Sequence, residues 1–293
     1  MRTLCLLAPL ASLALLSAPS DPAPAPTGST VNMALTSADG FALKGLLTLP
    51  AAKSSRGKVP VVILAHSFHA DRTGWEPLIE RLQARGIGTL ALDLRGHGES
   101  TTKGDTTVKV TDDFAASAKA VGFDQIPADL AQAAGWLRQQ PGVDGRRIGL
   151  AGASVGAFAV LLAAPAVKPV AVLSLSPAGS VAFGPGAPEK LKGAVVRARA
   201  TNLVLASTGD KDAFETATSL KDLPGVDLNL KDGQEHGFAY LKERADLMAI
   251  FFGEYLGYHH TGETAGTTKK ASSPANVIND KTLAEKKAAQ GSN

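Results

Sequence analysis

The chain has 293 residues, with 30 Lys or Arg against 27 Asp or Glu and a formal net charge of +3 at pH 7. Arg2, together with five lysines and three acidic residues after His259, accounts for the whole excess, so residues 21–258 hold 24 basic and 24 acidic side chains. This neutral body lacks the basic surplus typical of nucleic-acid binding, so we expect no nucleic-acid partner. With 44% hydrophobic residues, the composition is that of a globular protein with a sizeable core.

Residues 1–20 have the pattern of a secretory signal peptide. One basic residue precedes an apolar run at positions 4–16, and small residues lead up to Ser20. The run is shorter than the roughly 20 residues of a spanning helix, so we expect cleavage after Ser20; an uncleaved anchor is the alternative. The single cysteine, Cys5, lies within the run and not at the cleavage point, which argues against a lipoprotein. These features predict a secreted or periplasmic protein without stable membrane insertion after signal cleavage.

The remaining chain divides by composition into three parts. Residues 21–32 are rich in Pro and Ala and are predicted to be a linker. Residues 33–258 have the length and apolar content of one globular domain. Residues 259–293 contain few large apolar side chains and are predicted to be a disordered tail.

The predicted elements of the globular domain begin with an antiparallel hairpin in residues 31–50, turning at Asp39-Gly40. Apolar runs then alternate with segments of helical periodicity. Strands are predicted at 61–65, 88–94, 147–151, 169–175, 202–207 and 226–230, and helices at 77–85, 127–140, 155–164 and 243–255. This alternation predicts an α/β fold with a mostly parallel central sheet and helices on both faces. Reactive groups in such folds lie on the loops at the carboxyl ends of the strands.

One such loop contains Ser154, in the sequence Gly-Ala-Ser-Val-Gly at positions 152–156 between a strand and an apolar helix. Small residues on both sides allow the tight turn that holds a serine exposed at a helix N-terminus. The helix dipole and the Val155 N–H would then face an oxygen that becomes negative during a reaction.

Three further loops complete a family pattern. Residues 92–100 (LDLRGHGES) are similar to D-x-R-G-x-G-x-S, residues 208–212 (TGDKD) to an acid turn G-x-x-D, and residues 235–238 (EHGF) to a histidine loop H-G-F. With the serine motif, they make residues 41–255 resemble the α/β-hydrolase superfamily, in particular its small dienelactone-hydrolase-like and acyl-aminopeptidase-like serine hydrolases. The resemblance implies an α/β-hydrolase catalytic domain at 33–258.

The resemblance also implies a catalytic triad of Ser154, Asp212 and His236. A serine hydroxyl needs a neutral imidazole to accept its proton, and a carboxylate must orient that imidazole. The chain order Ser, acid, His is the order of the fold. Asp212 occupies the last position of G-x-x-D, and Asp210 is the competing acid.

The oxyanion hole implied by the resemblance consists of the backbone N–H groups of Phe68 and Val155. Phe68 lies in AHSFH at 65–69, which resembles the family segment H-G-x, but Ser67 stands where the family usually has glycine and tolerates fewer backbone conformations. We expect His66 to stabilise this loop or the core, with direct chemistry as the alternative. His97 is expected to be structural.

The resemblance implies a serine hydrolase that cleaves carboxylic esters through an acyl-enzyme. Only some 26 residues separate the strands ending near 175 and starting at 202, so no large lid is expected, which favours short-chain or openly presented esters. The alternatives are a peptidase or amidase of the acyl-aminopeptidase type, the same triad acting on another bond, and a non-catalytic binding protein on this scaffold. No cofactor or metal is implied, and the oligomeric state stays open. The aromatic residues Phe68, Trp75, Phe183 and Phe238 line the pocket in one interpretation and belong to the core in the other.

Overall fold

The computed structural model describes residues 28–50 and 57–257; the predicted signal peptide, most of the predicted linker and the predicted tail lie outside them. The strands are β1 (Ser29–Thr36), β2 (Phe41–Leu49), β3 (Val59–Ala65), β4 (Gly88–Asp93), β5 (Thr102–Lys103), β6 (Thr106–Thr107), β7 (Val143–Ala153), β8 (Ala171–Leu175), β9 (Thr201–Ser207) and β10 (Val226–Lys231). The helices are α1 (Glu76–Ala84), α2 (Phe114–Val121), α3 (Ile126–Leu137), α4 (Val155–Val167), α5 (Ala187–Ala198), α6 (Lys211–Thr218) and α7 (Leu241–Leu256).

All ten strands form one sheet in the order β10-β9-β8-β7-β3-β4-β2-β5-β6, with β1 paired to β2. The six strands from β10 to β4 are parallel, and β1, β2, β5 and β6 join antiparallel. Helices α3, α4 and α5 pack apolar side chains against one face of the sheet, and α1 and α7 cover the other. The predicted α/β class, with a mostly parallel sheet and helices on both faces, is confirmed.

The predicted boundaries differ from the structure in a few places. Strand β1 begins at Ser29, inside the segment 21–32 predicted as a linker, because residues 29–36 pair in full register with 49–42 of β2. Helix α4 continues through Pro165 to Val167, three residues past its predicted end. The sequence did not predict α2, α6 or the two-residue strands β5 and β6, which are too short for a clear periodicity.

The region between β8 and β9 contains one 3-10 turn (Ser180–Phe183) and α5, so no large lid is present in the described part of the chain. No helix among the described residues is long and apolar enough to cross a membrane.

The parallel strands place the polar loops at one edge of the sheet. His66 follows β3, Ser154 follows β7, Ser176 follows β8, Asp210 is the third residue after β9, and His236 lies beyond β10. Because the carboxyl ends of parallel strands meet at the same edge, side chains more than 160 residues apart along the chain become neighbours.

Candidate active site

Ser154 lies on a sharp turn between β7 and α4. Its backbone has φ 56° and ψ −120°, an unusual conformation for a residue other than glycine. The turn is held by the Ser154 N–H, which donates to the carbonyl of Leu175 at 2.9 Å. A Cβ on Gly152 would overlap the Gly156 backbone, and one on Gly156 would overlap the carbonyl of Ala65. The two glycines of the motif are therefore required by close backbone packing.

The side chain of Ser154 begins a chain of two short hydrogen bonds. The distance from Ser154 Oγ to His236 Nε2 is 2.7 Å, and that from His236 Nδ1 to Asp210 Oδ2 is 2.6 Å. Asp210 keeps 14% of its side chain exposed and His236 keeps 43%. In this geometry Nδ1–H donates to the carboxylate, which leaves Nε2 as the acceptor for the serine hydroxyl.

The carboxylate that contacts His236 is that of Asp210, whereas Asp212, the predicted acid, is hydrogen-bonded elsewhere. Helix α6 begins at Lys211, so Asp210 is its non-helical N-cap residue and its carboxylate reaches the histidine. Asp212 lies in the first helical turn, and its Oδ2 accepts a hydrogen bond from the Gly179 N–H at 2.8 Å. The early helix start separates the two carboxylates, which the family motif could not distinguish.

The two predicted oxyanion groups belong to residues on either side of one contact between α4 and the loop after β3. Val155 is the first residue of α4, and the tight approach of Gly156 to Ala65 places this helix end against the loop after β3. Neither the Val155 N–H nor the Phe68 N–H donates a hydrogen bond to any group within residues 28–50 and 57–257. Within the described residues, both N–H groups are thus free to donate to another group, and Val155 directly follows Ser154.

Ser67 is tolerated at the family's glycine position because the left-handed conformation of the loop falls elsewhere. The residue with positive φ is His69, at 59°, and Ser67 is not among the positive-φ residues. The Ser67 hydroxyl is buried without a hydrogen-bond partner in the described residues, and it would contact a Cβ placed on Gly237.

His66 stabilises the loop after β3 that contains Phe68. The Leu94 N–H donates to His66 Nε2 at 2.9 Å, so Nδ1 bears the proton and donates to the Ser67 carbonyl at 2.7 Å. Holding that carbonyl fixes the peptide whose other end is the Phe68 N–H. Burial lowers the pKa of His66 to about 3, and the neighbouring His97 adds to this effect. His66 is therefore neutral and structural, as expected.

The buried neutral state of His66 predicts a pH-dependent stability. Above pH 6.5 the ring is neutral in both folded and unfolded chains, but between about pH 6.5 and 3 only the unfolded chain binds the proton. The free energy of unfolding should therefore fall as the pH is lowered through this range. The total loss is about 1.4 kcal/mol for each unit by which the pKa of His66 differs between the unfolded and folded chains. Urea unfolding at pH 7, 6, 5 and 4 measures it. His66→Asn, which keeps a donor for the Ser67 carbonyl, should have a shallower slope; equal slopes would contradict the prediction.

The remaining loop motif, at 92–100, is structural. Arg95 is fully buried, and its Nε and Nη2 donate to Asp129 at 2.6 and 2.8 Å, while its Nη groups also reach Asp39. His97 is buried, its Nδ1–H donates to the Arg95 carbonyl at 3.0 Å, and burial lowers its pKa. The structural interpretation of His97 agrees with this environment.

The four candidate pocket aromatics lie in the core or pack against it. Trp75 is fully buried and packs edge-on against Phe238, with ring centroids 4.9 Å apart. Phe183 is buried and stacks on Phe158 at 4.9 Å. Phe68 is half-buried and packs edge-on against Phe114 and Phe123 at the rim of the core. No three His, Cys, Asp or Glu side chains of the described chain are placed to hold a metal ion.

Comparison with known proteins identifies the family. A model of the alpha/beta hydrolase family matches residues 62–262. The chain belongs to this family. Among curated proteins, it is 28% identical over 193 residues to the thiohydrolase aneE of Aspergillus aculeatus, and the match covers 64% of this chain and 54% of that enzyme. This chain therefore spans only about half the length of its fungal relative.

Solved structures share the fold. A dienelactone hydrolase from Anabaena variabilis superimposes with a TM-score of 0.58 and 22% identity, over 78% of this chain and 99% of that one. Acetyl xylan esterase 1 from Thermoanaerobacterium gives a TM-score of 0.62 and 20% identity, over 78% and 84% of the two chains. These neighbours share the fold, and the family model confirms the predicted resemblance to the α/β hydrolases.

Proposed function

We propose that this α/β hydrolase cleaves carboxylic esters through an acyl-enzyme, with Ser154 as nucleophile, His236 as general base and acid, and Asp210 as the orienting carboxylate. The observation that carries the proposal is the continuous hydrogen-bond chain Ser154 Oγ, His236, Asp210, with both distances below 2.8 Å. Separations of this kind are those that proton transfer from a nucleophile to its base requires.

The first half of the proposed reaction forms the acyl-enzyme. Ser154 Oγ attacks the ester carbonyl carbon while its proton moves to His236 Nε2, and the imidazolium is stabilised by the Asp210 carboxylate. The carbonyl oxygen becomes negative and accepts hydrogen bonds from the N–H groups of Val155 and Phe68. When the intermediate collapses, the carbon–oxygen bond to the alcohol breaks and Nε2–H supplies the alcohol's proton.

The second half returns the enzyme to its starting state. Water gives a proton to His236 Nε2 as its oxygen attacks the acyl carbon, and the second intermediate releases the acid while the proton returns to Ser154 Oγ. The exposure of the His236 side chain supports direct access for water and for substrate.

An open site supports small or externally presented esters as substrates. His236 keeps 43% of its side chain exposed, and the segment between β8 and β9 contains only one 3-10 turn and α5. The signal-peptide pattern of residues 1–20 supports a secreted or periplasmic enzyme, which would meet such esters outside the cytoplasm.

Thioesters are a second substrate class, favoured by the similarity to a fungal thiohydrolase. A thioester carbonyl can be attacked by the same serine, with the thiol in place of the alcohol as leaving group. Amides are the substrates of the peptidase alternative. Their amine is a poorer leaving group than an alcohol, so the same triad must protonate it as the carbon–nitrogen bond breaks.

The proposed function is tested with a substrate panel. Nitrophenyl esters of increasing acyl length, matching nitroanilides and matching thioesters are assayed with the wild type and with Ser154→Ala as the blank. We expect the highest kcat/KM on short esters and no turnover of anilides. Turnover of anilides alone would replace the proposal with a peptidase, and a clear preference for thioesters would favour the second class.

A further inference from the structure

One short segment contacts all three loops of the candidate triad. This segment, residues 175–179 after β8, is called here the β8 loop. It approaches the serine turn, the histidine loop and the first turn of α6. Sequence motifs did not single it out.

The β8 loop holds the serine turn with two backbone hydrogen bonds. The Ser154 N–H donates to the Leu175 carbonyl at 2.9 Å, and the Ala178 N–H donates to the Ser154 carbonyl at 3.4 Å. Both backbone groups of the strained serine are thus tied to a neighbouring strand end, which stabilises its unusual φ of 56°.

The histidine loop is held by the side chain of Ser176. The Gly237 N–H donates to Ser176 Oγ at 3.0 Å, and this N–H belongs to the peptide that follows His236. Ser176 is fully buried and has a φ of 53°, and its own N–H donates to the Leu205 carbonyl at 2.8 Å. A buried serine kept in a left-handed conformation is costly unless the surroundings require it.

The acid loop is held through Asp212. Its Oδ2 accepts the Gly179 N–H at 2.8 Å, and it lies in the first turn of α6, whose N-cap residue is Asp210. Fixing this helical turn therefore fixes the starting point of the Asp210 side chain relative to the β8 loop.

We propose that Ser176 and Asp212 are positioning residues that set the triad geometry through the β8 loop, Ser176 by holding the His236–Gly237 peptide and Asp212 by fixing the turn that bears Asp210. This inference rests on the proposed hydrolase function. Neither side chain takes part in proton transfer. Asp212 needs only an acceptor atom for the Gly179 N–H, whereas Asp210 needs its charge to stabilise the imidazolium.

The experiment compares kcat and KM for a short nitrophenyl ester across paired variants. Ser176→Ala and Ser176→Gly both remove the hydroxyl. Glycine also adopts the left-handed backbone conformation without strain, so this variant measures the loss of the hydroxyl even if the alanine variant folds poorly. We expect kcat to fall about 10- to 100-fold in both with KM changed less than about 3-fold, since small misplacements of catalytic groups cost this much.

For Asp212 the test is rescue by the conservative variant. Asp212→Ala should lower kcat about 10-fold, and Asp212→Asn should restore most of it, because the amide oxygen can accept the same N–H. Ser174→Ala, a buried serine on β8 whose hydroxyl approaches the Ala157 carbonyl, and Asp222→Ala, an exposed carboxylate, are the matched controls and should retain wild-type kcat.

Failure of the positioning roles can be distinguished from failure of the proposed hydrolase function. Wild-type kcat in both Ser176 variants would overturn the positioning role of Ser176. An Asp212→Asn variant as impaired as Asp212→Ala would show that the charge of Asp212 matters, which would overturn the positioning role proposed for Asp212. An inactive wild type that also fails to react with a fluorophosphonate would instead overturn the proposed function.

Discussion

Replacing Ser154 with alanine is expected to lower kcat on an ester by about 10⁶-fold, to the level at which only binding and the oxyanion groups accelerate hydrolysis. The reason is that His236 Nε2 is hydrogen-bonded to Ser154 Oγ at 2.7 Å, so the substitution removes the hydroxyl whose proton the imidazole accepts. Alanine also fits the turn, because the φ of 56° and the packing of Gly152 and Gly156 do not depend on the hydroxyl.

The measurement for Ser154→Ala is turnover in the ester assay together with labelling by a fluorophosphonate. Labelling of the wild type should stop in the variant, while its thermal unfolding stays close to that of the wild type. His236→Ala should cost nearly as much, and the double variant no more than either single one, because the two groups act as a unit. Additive losses or undiminished labelling would exclude this pair as the catalytic centre.

The contact between Ser154 and His236 could be expected from the sequence because each residue lies in a short motif of its own. The glycines around Ser154 are needed by contacts within the motif and with the adjoining loop after β3. The fold class followed in the same way, since alternating apolar runs and helical stripes leave few arrangements other than a parallel sheet with helices on both faces.

The acid and the positioning residues could not be predicted in this way because they depend on tertiary contacts. Asp210 and Asp212 are two residues apart, and only the start of α6 at Lys211 determines which carboxylate reaches His236. Ser176 has no motif of its own; its role follows from a contact with Gly237, 61 residues further along the chain. The left-handed backbone conformation of His69 could not be predicted from residue preferences either, because they favour glycine at such positions.

Replacing Asp210 with asparagine is expected to lower kcat by about 10⁴-fold with little change in KM. The amide has no negative charge to stabilise the imidazolium, and its NH₂ group favours the tautomer in which Nε2 bears the proton and cannot accept one from Ser154. The steady-state constants on a short ester, measured beside those of Asp212→Asn, check this. The two variants make the same chemical change two residues apart, so the contrast in kcat isolates the contact of Asp210 with His236 Nδ1.

The carboxylates of Glu235 and Asp212 are both engaged by other groups in the structure, so neither is expected to replace Asp210 in that variant. Glu235, adjacent to the histidine, is bound by Lys231 at 2.6 Å and by the Ser207 hydroxyl at 3.2 Å, and the hydrogen bond from Lys231 lowers the pKa of its carboxyl. Asp212 is tied to the Gly179 N–H. A residual kcat above about a tenth of the wild-type value would therefore mean that the His236–Asp210 hydrogen bond contributes orientation without charge stabilisation. An Asp212→Asn loss larger than that of Asp210→Asn would reverse the assignment of the acid.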